Sequence, residues 1–189
     1  MKTTSDQKTV LLFNAPPRVG KDFACQHLRD THSVNTYKFA APLYQHVADI
    51  CNLTLSELAS RYETSKDQVF SHGMTLRELF IHVSEDVLKN KHGPYCFAEK
   101  LLKQINQDQG DVVSVSDCGF TEEVDFLAKN SGHRYIIVQL HRDGYDFKKD
   151  SRGYVTHDGM ELCVIRECDD ALLSRVSELY NLIINTRAF

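Results

Sequence analysis

The sequence predicts a three-layer α/β domain, with a mostly parallel sheet of about five strands and helices on both faces. Short apolar runs alternate with segments of helical period, and turn-forming residues close each run. No repeat or low-complexity tract interrupts the alternation. With 189 residues, 42% of them hydrophobic, the chain is long enough for one well-buried core, and a single domain over 1–189 is expected.

The first run, Thr9–Phe13, is too brief for a buried helix and is followed at once by Asn14, Pro16 and Pro17. It reads as a buried strand. From Lys21 the period changes, and Phe23, Ala24, His27 and Leu28 fall on one helical face. An extended piece, Asn35–Ala40, leads through Pro42 into a helix over Leu43–Cys51. Leu53–Tyr62 reads as another helix, with Thr54 as cap and Glu57 three residues on. Thr75–Lys89 is the clearest helix, with Glu78 three after Thr75 and Leu76, Leu79, Phe80, Val83 and Val87 along one side. A further helix starts near Pro94. Asp111–Ser116 is a β-branched strand ending at Asp117, and Thr121–Lys129 a helix. Tyr135–Leu140 is a continuous apolar strand, Leu162–Ile165 a short last one, and Asp169–Thr186 a closing helix.

The formal charge of −4 and the pI near 6.1 exclude the electrostatic footprint that drives nonspecific adhesion to nucleic acid or anionic membrane. No apolar run approaches the roughly 18 residues that cross a bilayer. No membrane partner is expected, and the chain reads as soluble and cytoplasmic. Cys25, Cys51, Cys96, Cys118, Cys163 and Cys168 stand singly, without the spacing of a zinc site, and are read as reduced thiols. The nine His show no metal-type spacing beyond His27 and His32.

A strand, a tight turn and a helix are the context of a phosphate-binding Walker A loop, where backbone N–H groups and the helix N-terminus cradle an anion. The turn reads Ala15, Pro16, Pro17, Arg18, Val19, Gly20, Lys21, Asp22, with Phe23 next. Gly20 and Lys21 stand at the motif's offset, so the loop is a candidate ATP site with Lys21 reaching the phosphates. Two positions depart. Ala15 replaces the first glycine, which is tolerable if its φ is not positive. Asp22 replaces the hydroxyl that ordinarily ligates Mg²⁺, and could ligate the ion, directly or through water, or accept a proton. An incidental Gly-Lys pair at a strand–helix junction is the plain alternative.

Asp117 follows the valine-rich strand, where such sheets place ligand-contacting groups, and reads either as a metal or water ligand or as a turn aspartate before Gly119. The stretch 142–159 is polar and carries Gly144, Gly153 and Gly159 together with Arg142, Lys148, Lys149 and Arg152. It is a candidate mobile lid over a transferring phosphoryl group, or else a solvated charged face. Arg77, in the first turn of the Thr75 helix, sits at the unfavourable end for a cation. An anionic substrate would explain it, as would pairing with Glu78 or a neighbour.

The order of elements resembles that of the phage deoxynucleoside monophosphate kinases and, more distantly, the animal-type phosphomevalonate kinases, all small P-loop kinases. The matching features are Gly20-Lys21-Asp22, Lys38-Phe39-Ala40-Ala41-Pro42-Leu43, Thr75-Leu76-Arg77-Glu78-Leu79 and Ser116-Asp117. The resemblance covers most of the chain. It implies a P-loop kinase fold with a lid, an acceptor-binding helical region over about 41–108, and ATP and Mg²⁺ as cofactors. It further implies that Lys21 binds β- and γ-phosphates, that Asp22 serves the metal, with Asp117 a second candidate ligand by its place after the strand, and that Arg142 and Arg152 meet the transferring group. Phe39 and Arg77 would contact the acceptor nucleotide, with Lys148 and Lys149 nearby. A phage-encoded chain would work in the host cytoplasm, and a homodimer is compatible with the pattern.

One departure bears on the acceptor. The segment after the third strand is Asp117-Cys118-Gly119-Phe120, with Gly119 where the resembled kinases carry arginine. Monophosphate dianions are held by arginine forks, so the loss favours a neutral hydroxyl acceptor. Kinases similar to this group also phosphorylate the hydroxymethyl group of 5-hydroxymethyluracil in phage DNA, which would give Asp22 or Asp117 work as a base. The expected partner is thus a free deoxynucleotide or a modified base in DNA, with the free deoxynucleotide slightly ahead. A nucleotide-binding module without catalysis is the third reading.

Overall fold

The computed structural model describes residues 7–71, 73–148, 150–166 and 171–187. The chain divides into two compact units, one formed by residues 1–38 with 101–189 and the other by residues 39–100.

The first unit is built on a five-stranded sheet of β1 (Thr9–Asn14), β2 (Asn35–Tyr37), β5 (Val112–Val115), β6 (Arg134–Leu140) and β7 (Glu161–Ile165). Its order is β2-β5-β1-β6-β7, and all four ladders are parallel. Thr9 of β1 stands opposite Val112 on one side and Arg134 on the other. Interior parallel strands are covered on both faces, which is why β1 and β5 are buried at every position while β2 and β7, at the edges, are not. Helices α1 (Lys21–His32), α7 (Thr121–Asn130) and α8 (Leu172–Arg187) belong to this unit, and α6 (Cys96–Gln107) carries the chain into it. Leu11, Phe13, Leu28, Val138, Leu140, Val176 and Ile183 form the centre of its core. The α/β class and the parallel five-stranded sheet are those the sequence predicts.

The second unit contains α2 (Ala41–Cys51), α3 (Leu55–Ser65), a hairpin of β3 (Val69–Ser71) and β4 (Met74–Thr75), and a long helical run. Thr54 and Thr75 both form the expected capping boxes, with Glu57 and Glu78. Tyr44 and Tyr62 pack on Phe80 with ring centroids 4.7 Å apart. The helical run departs from expectation. It is α-helical only over α4 (Leu76–His82), becomes π-helical over Val83–Lys89, and ends in the turn α5 (Asn90–His92). The β3–β4 hairpin was not expected either. The first residue of the predicted closing helix, Asp169, and the thiol of Cys168 lie outside the described residues. Cys25, Cys51, Cys96, Cys118 and Cys163 are free thiols.

Leu11 is wholly buried in the central strand, so Leu11→Ala is expected to cost about 2–5 kcal/mol, read as a lowered urea midpoint. Leu162→Ala, at a half-exposed edge position, should stay within about 0.5 kcal/mol of the parent.

Candidate phosphate-binding site

The chain leaves β1 at Asn14 and enters α1 at Lys21, at the carboxyl end of the sheet's central strand. Only Arg18 (φ 65°) and Gly20 (φ 114°) in the connecting loop have positive φ. Ala15 therefore needs no glycine freedom, and its methyl group is buried without strain of that kind. Gly20 is constrained twice, because a Cβ there would also stand 2.9 Å from Leu172 Cδ2. It caps α1 without any side-chain hydrogen bond. The first N–H groups of α1 thus have no partner within the helix, and the helix dipole adds positive potential at the same end. Pro16 and Pro17 carry no N–H, so after Ala15 the loop's next backbone donor is at Arg18.

Lys21 is only 8% exposed, and its Nζ donates to the carbonyl oxygens of Ala15 (2.5 Å) and Pro16 (2.9 Å). Burial, with the charge of Arg152 next in weight, pushes its pKa down to about 8, against the opposing pull of Asp22, Asp150 and Asp117. The ammonium has a third N–H to offer an anion.

Asp22 lies exposed in the first turn of α1. Its Oδ1 accepts hydrogen bonds from Lys38 Nζ (2.7 Å) and from Ser116 Oγ (3.1 Å) just past β5. Partial burial works to raise its pKa, but the bonds and charge of Lys38, with Ser116 and Lys21, hold it below the ordinary carboxylate range. A carboxylate so stabilised is a weak proton acceptor at neutral pH. Asp117 is half-buried directly after Ser116. Among the described residues no group of three or more His, Cys, Asp or Glu could hold a metal ion.

The stretch 142–159 has neither helix nor strand among its described residues, yet its second half is firmly held. Asn14, wholly buried at the end of β1, donates through Nδ2 to Cys118 O (3.0 Å) and Gly153 O (2.9 Å). Its Oδ1 accepts from Val155 N (2.9 Å), and Gln139 Nε2 donates to Val155 O (2.9 Å). Tyr154 stacks on His141 at 4.2 Å. Between these anchors and Asp150, Arg152 makes a two-pronged pair with that carboxylate, Nε to Oδ1 at 2.9 Å and Nη2 to Oδ2 at 2.6 Å. Partial burial opposes the effect, but the bonds from Arg152 hold Asp150 below the usual carboxylate range.

Of the other candidates in this stretch, Arg142 lies over the Tyr145 ring at 5.2 Å and Lys148 pairs at the surface with Asp146 (3.0 Å). Lys149 lies outside the described residues. Phe39 and Arg77 belong to the second unit. Phe39 is buried, and Arg77 Nε donates to Asp67 Oδ1 (2.7 Å), a neighbour's carboxylate as the sequence allowed. The structure thus gathers Lys21, Asp22, Asp117 and Arg152 with the loop. Asn14, Lys38 and Asp150 join them unforeseen; a polar residue ending the apolar run from Val10 to Phe13 marks Asn14 without revealing its distant partners.

The fold is similar to that of a crystal structure at 1.70 Å resolution named a "putative kinase" from Chloroflexus aurantiacus J-10-fl, with a TM-score of 0.55. The match covers 95% of this chain and 98% of that one at 12% identity, a likeness of fold. A scan against protein-family models and a search of curated proteins both found no match.

An anion bound at Lys21 favours the charged ammonium and so raises its pKa. Anion affinity should therefore be level below pH 8 and fall as pH rises through about 8, up to tenfold per pH unit until the pKa of the complex is reached. Titration of ATP or tripolyphosphate between pH 6.5 and 9.5 checks this, and Lys21→Met should remove the slope.

Proposed function

We propose that the protein is an ATP-dependent kinase that phosphorylates a deoxynucleoside monophosphate. The observation that carries this reading is Lys21. A buried ammonium at a helix N-terminus, wrapped by a loop whose carbonyl oxygens it bonds, suits the phosphates of a nucleotide. The similarity of fold to a protein named a kinase supports the same class.

The residues at the loop also fit a magnesium ion. Mg²⁺ commonly takes one or two carboxylates and completes its shell with substrate phosphates and water, so a closed protein cage is not required. Asp22 and Asp117 would hold it, and it would supply charge neutralisation at the β- and γ-phosphates. Lys38 shares Asp22 and keeps that carboxylate ionised. In this reading Lys21 binds and orients the phosphates, Asp22 acts through its charge, and Arg152 exchanges Asp150 for phosphoryl oxygens.

One feature favours a phosphate acceptor over a hydroxyl. A hydroxyl acceptor benefits from a base, and Asp22, with its lowered pKa, is poorly suited to that task. An ionised phosphate needs none.

The test is transfer of labelled phosphate from ATP to a panel of deoxynucleoside monophosphates and to duplex DNA containing 5-hydroxymethyluracil. Labelled diphosphates are the expected product. Label on the DNA alone would move the acceptor to the modified base, and ATP binding without any transfer would leave an inert nucleotide-binding module. Lys21→Ala should lower turnover by about a hundredfold or more with unchanged circular dichroism; a parental rate in that variant would sink the assignment of the loop.

A further inference from the structure

We propose that Gly119 and Asn14 are positioning residues for Arg152, together seating its stem over the turn that follows β5 so that its guanidinium serves the phosphate loop. The inference rests on the phosphate-site reading above and adds to it the residues that place the arginine. Gly119 makes room. A Cβ at that position would stand 2.6 Å from Arg152 Cδ, 2.7 Å from Cγ and 2.8 Å from Cβ. Those are contacts real Cβ atoms do not show, and they involve the root of the side chain rather than its mobile end. Gly119 does not have positive φ, so the reason for glycine here is space. The backbone reinforces the contact, since Gly153 N donates to Gly119 O (3.3 Å).

Asn14 fixes the same seat from below. Its amide group bonds Cys118, which adjoins Gly119, and Gly153, which adjoins Arg152, and it also accepts from Val155 further along. Because Asn14 is also the residue from which the phosphate loop departs, one buried side chain sets the position of the arginine relative to the loop. Asp22, Asp117, Asp150 and Arg152 are the charged groups that act most strongly on Lys21, and Arg152 is the cation of that set. Placing it is therefore a matter of affinity for an anion as well as of packing. Asp150 holds the guanidinium in a fork of the kind a phosphate would also accept.

The experiment is a double-mutant cycle between Gly119→Ala and Arg152→Gly, read by calorimetric titration with tripolyphosphate. Arg152→Gly removes all three atoms that an added methyl would meet. Each single variant is expected to weaken binding about tenfold, as for a lost charge-assisted contact, and the double variant to bind no more weakly than Arg152→Gly. Gly119→Ala that weakens binding equally in both backgrounds, or in neither, overturns the proposal. Asn14→Leu, of nearly the same size and uncharged, loses both Nδ2 donors and the acceptor for Val155 N, and should weaken binding in the parent and not in the Arg152→Gly background. If the parent binds no tripolyphosphate, the phosphate-site reading falls. Melting midpoints then decide the seating alone: Gly119→Ala should lower the midpoint by about 2–4 °C in the parent and leave the Arg152→Gly protein unchanged, and an equal drop in both refutes it.

Discussion

A buried ammonium must find acceptors, and much of the site is arranged around that requirement. Lys21 meets it with two carbonyl oxygens of its own loop, so the loop is wrapped about the side chain that follows it. The balance of charge comes from the helix of Lys21 itself and from two other segments. Asp22 stands on the helix that Lys21 opens, Asp117 comes from the end of β5, and Asp150 and Arg152 come from the long connection after β6. These segments converge because β5, β1 and β6 are neighbours in one parallel sheet and deliver their following loops to the same edge. The sheet order is thus the architectural cause of the site, and Lys21 its electrostatic centre.

What could be read in advance follows the locality of the interactions. β1, β5 and β6 are legible because covered parallel strands read as nearly continuous apolar or β-branched runs, and the two threonine caps because a capping box spans only four positions. The β3–β4 hairpin was illegible. Its strands hold three and two residues, too few to show a period, and Val69 is 73% exposed. The π-helical stretch from Val83 was hidden for another reason: apolar spacing marks a buried stripe without specifying which carbonyl each N–H reaches. Lys21 and Asp117 were visible through their places beside strands. Asn14 was not, since its partners lie 104 and 139 residues away, and neither was the seat that Gly119 offers Arg152.

The two departures of the loop from its pattern have different physical weight. Ala15 is accommodated because its backbone stays in the ordinary region, and the need for left-handed geometry is carried by Arg18 and Gly20. For the left-handed arginine this costs about 1 kcal/mol. Asp22 changes the electrostatics instead. It brings a full negative charge where a hydroxyl would bring a dipole, and Lys38 and Ser116 are placed to keep it ionised. The departure is thus supported by its own hydrogen-bonded surroundings.

Gly20 joins the loop to a distant part of the chain. The gap its missing side chain leaves is filled by Leu172, the first residue of α8, so the final helix of the fold abuts the turn that would hold a nucleotide. Loop and helix share a boundary that one methyl group would breach. The start of α8 is consequently part of the mould in which the loop is cast, and a side chain added at Gly20 would oblige the end of Leu172 to turn away.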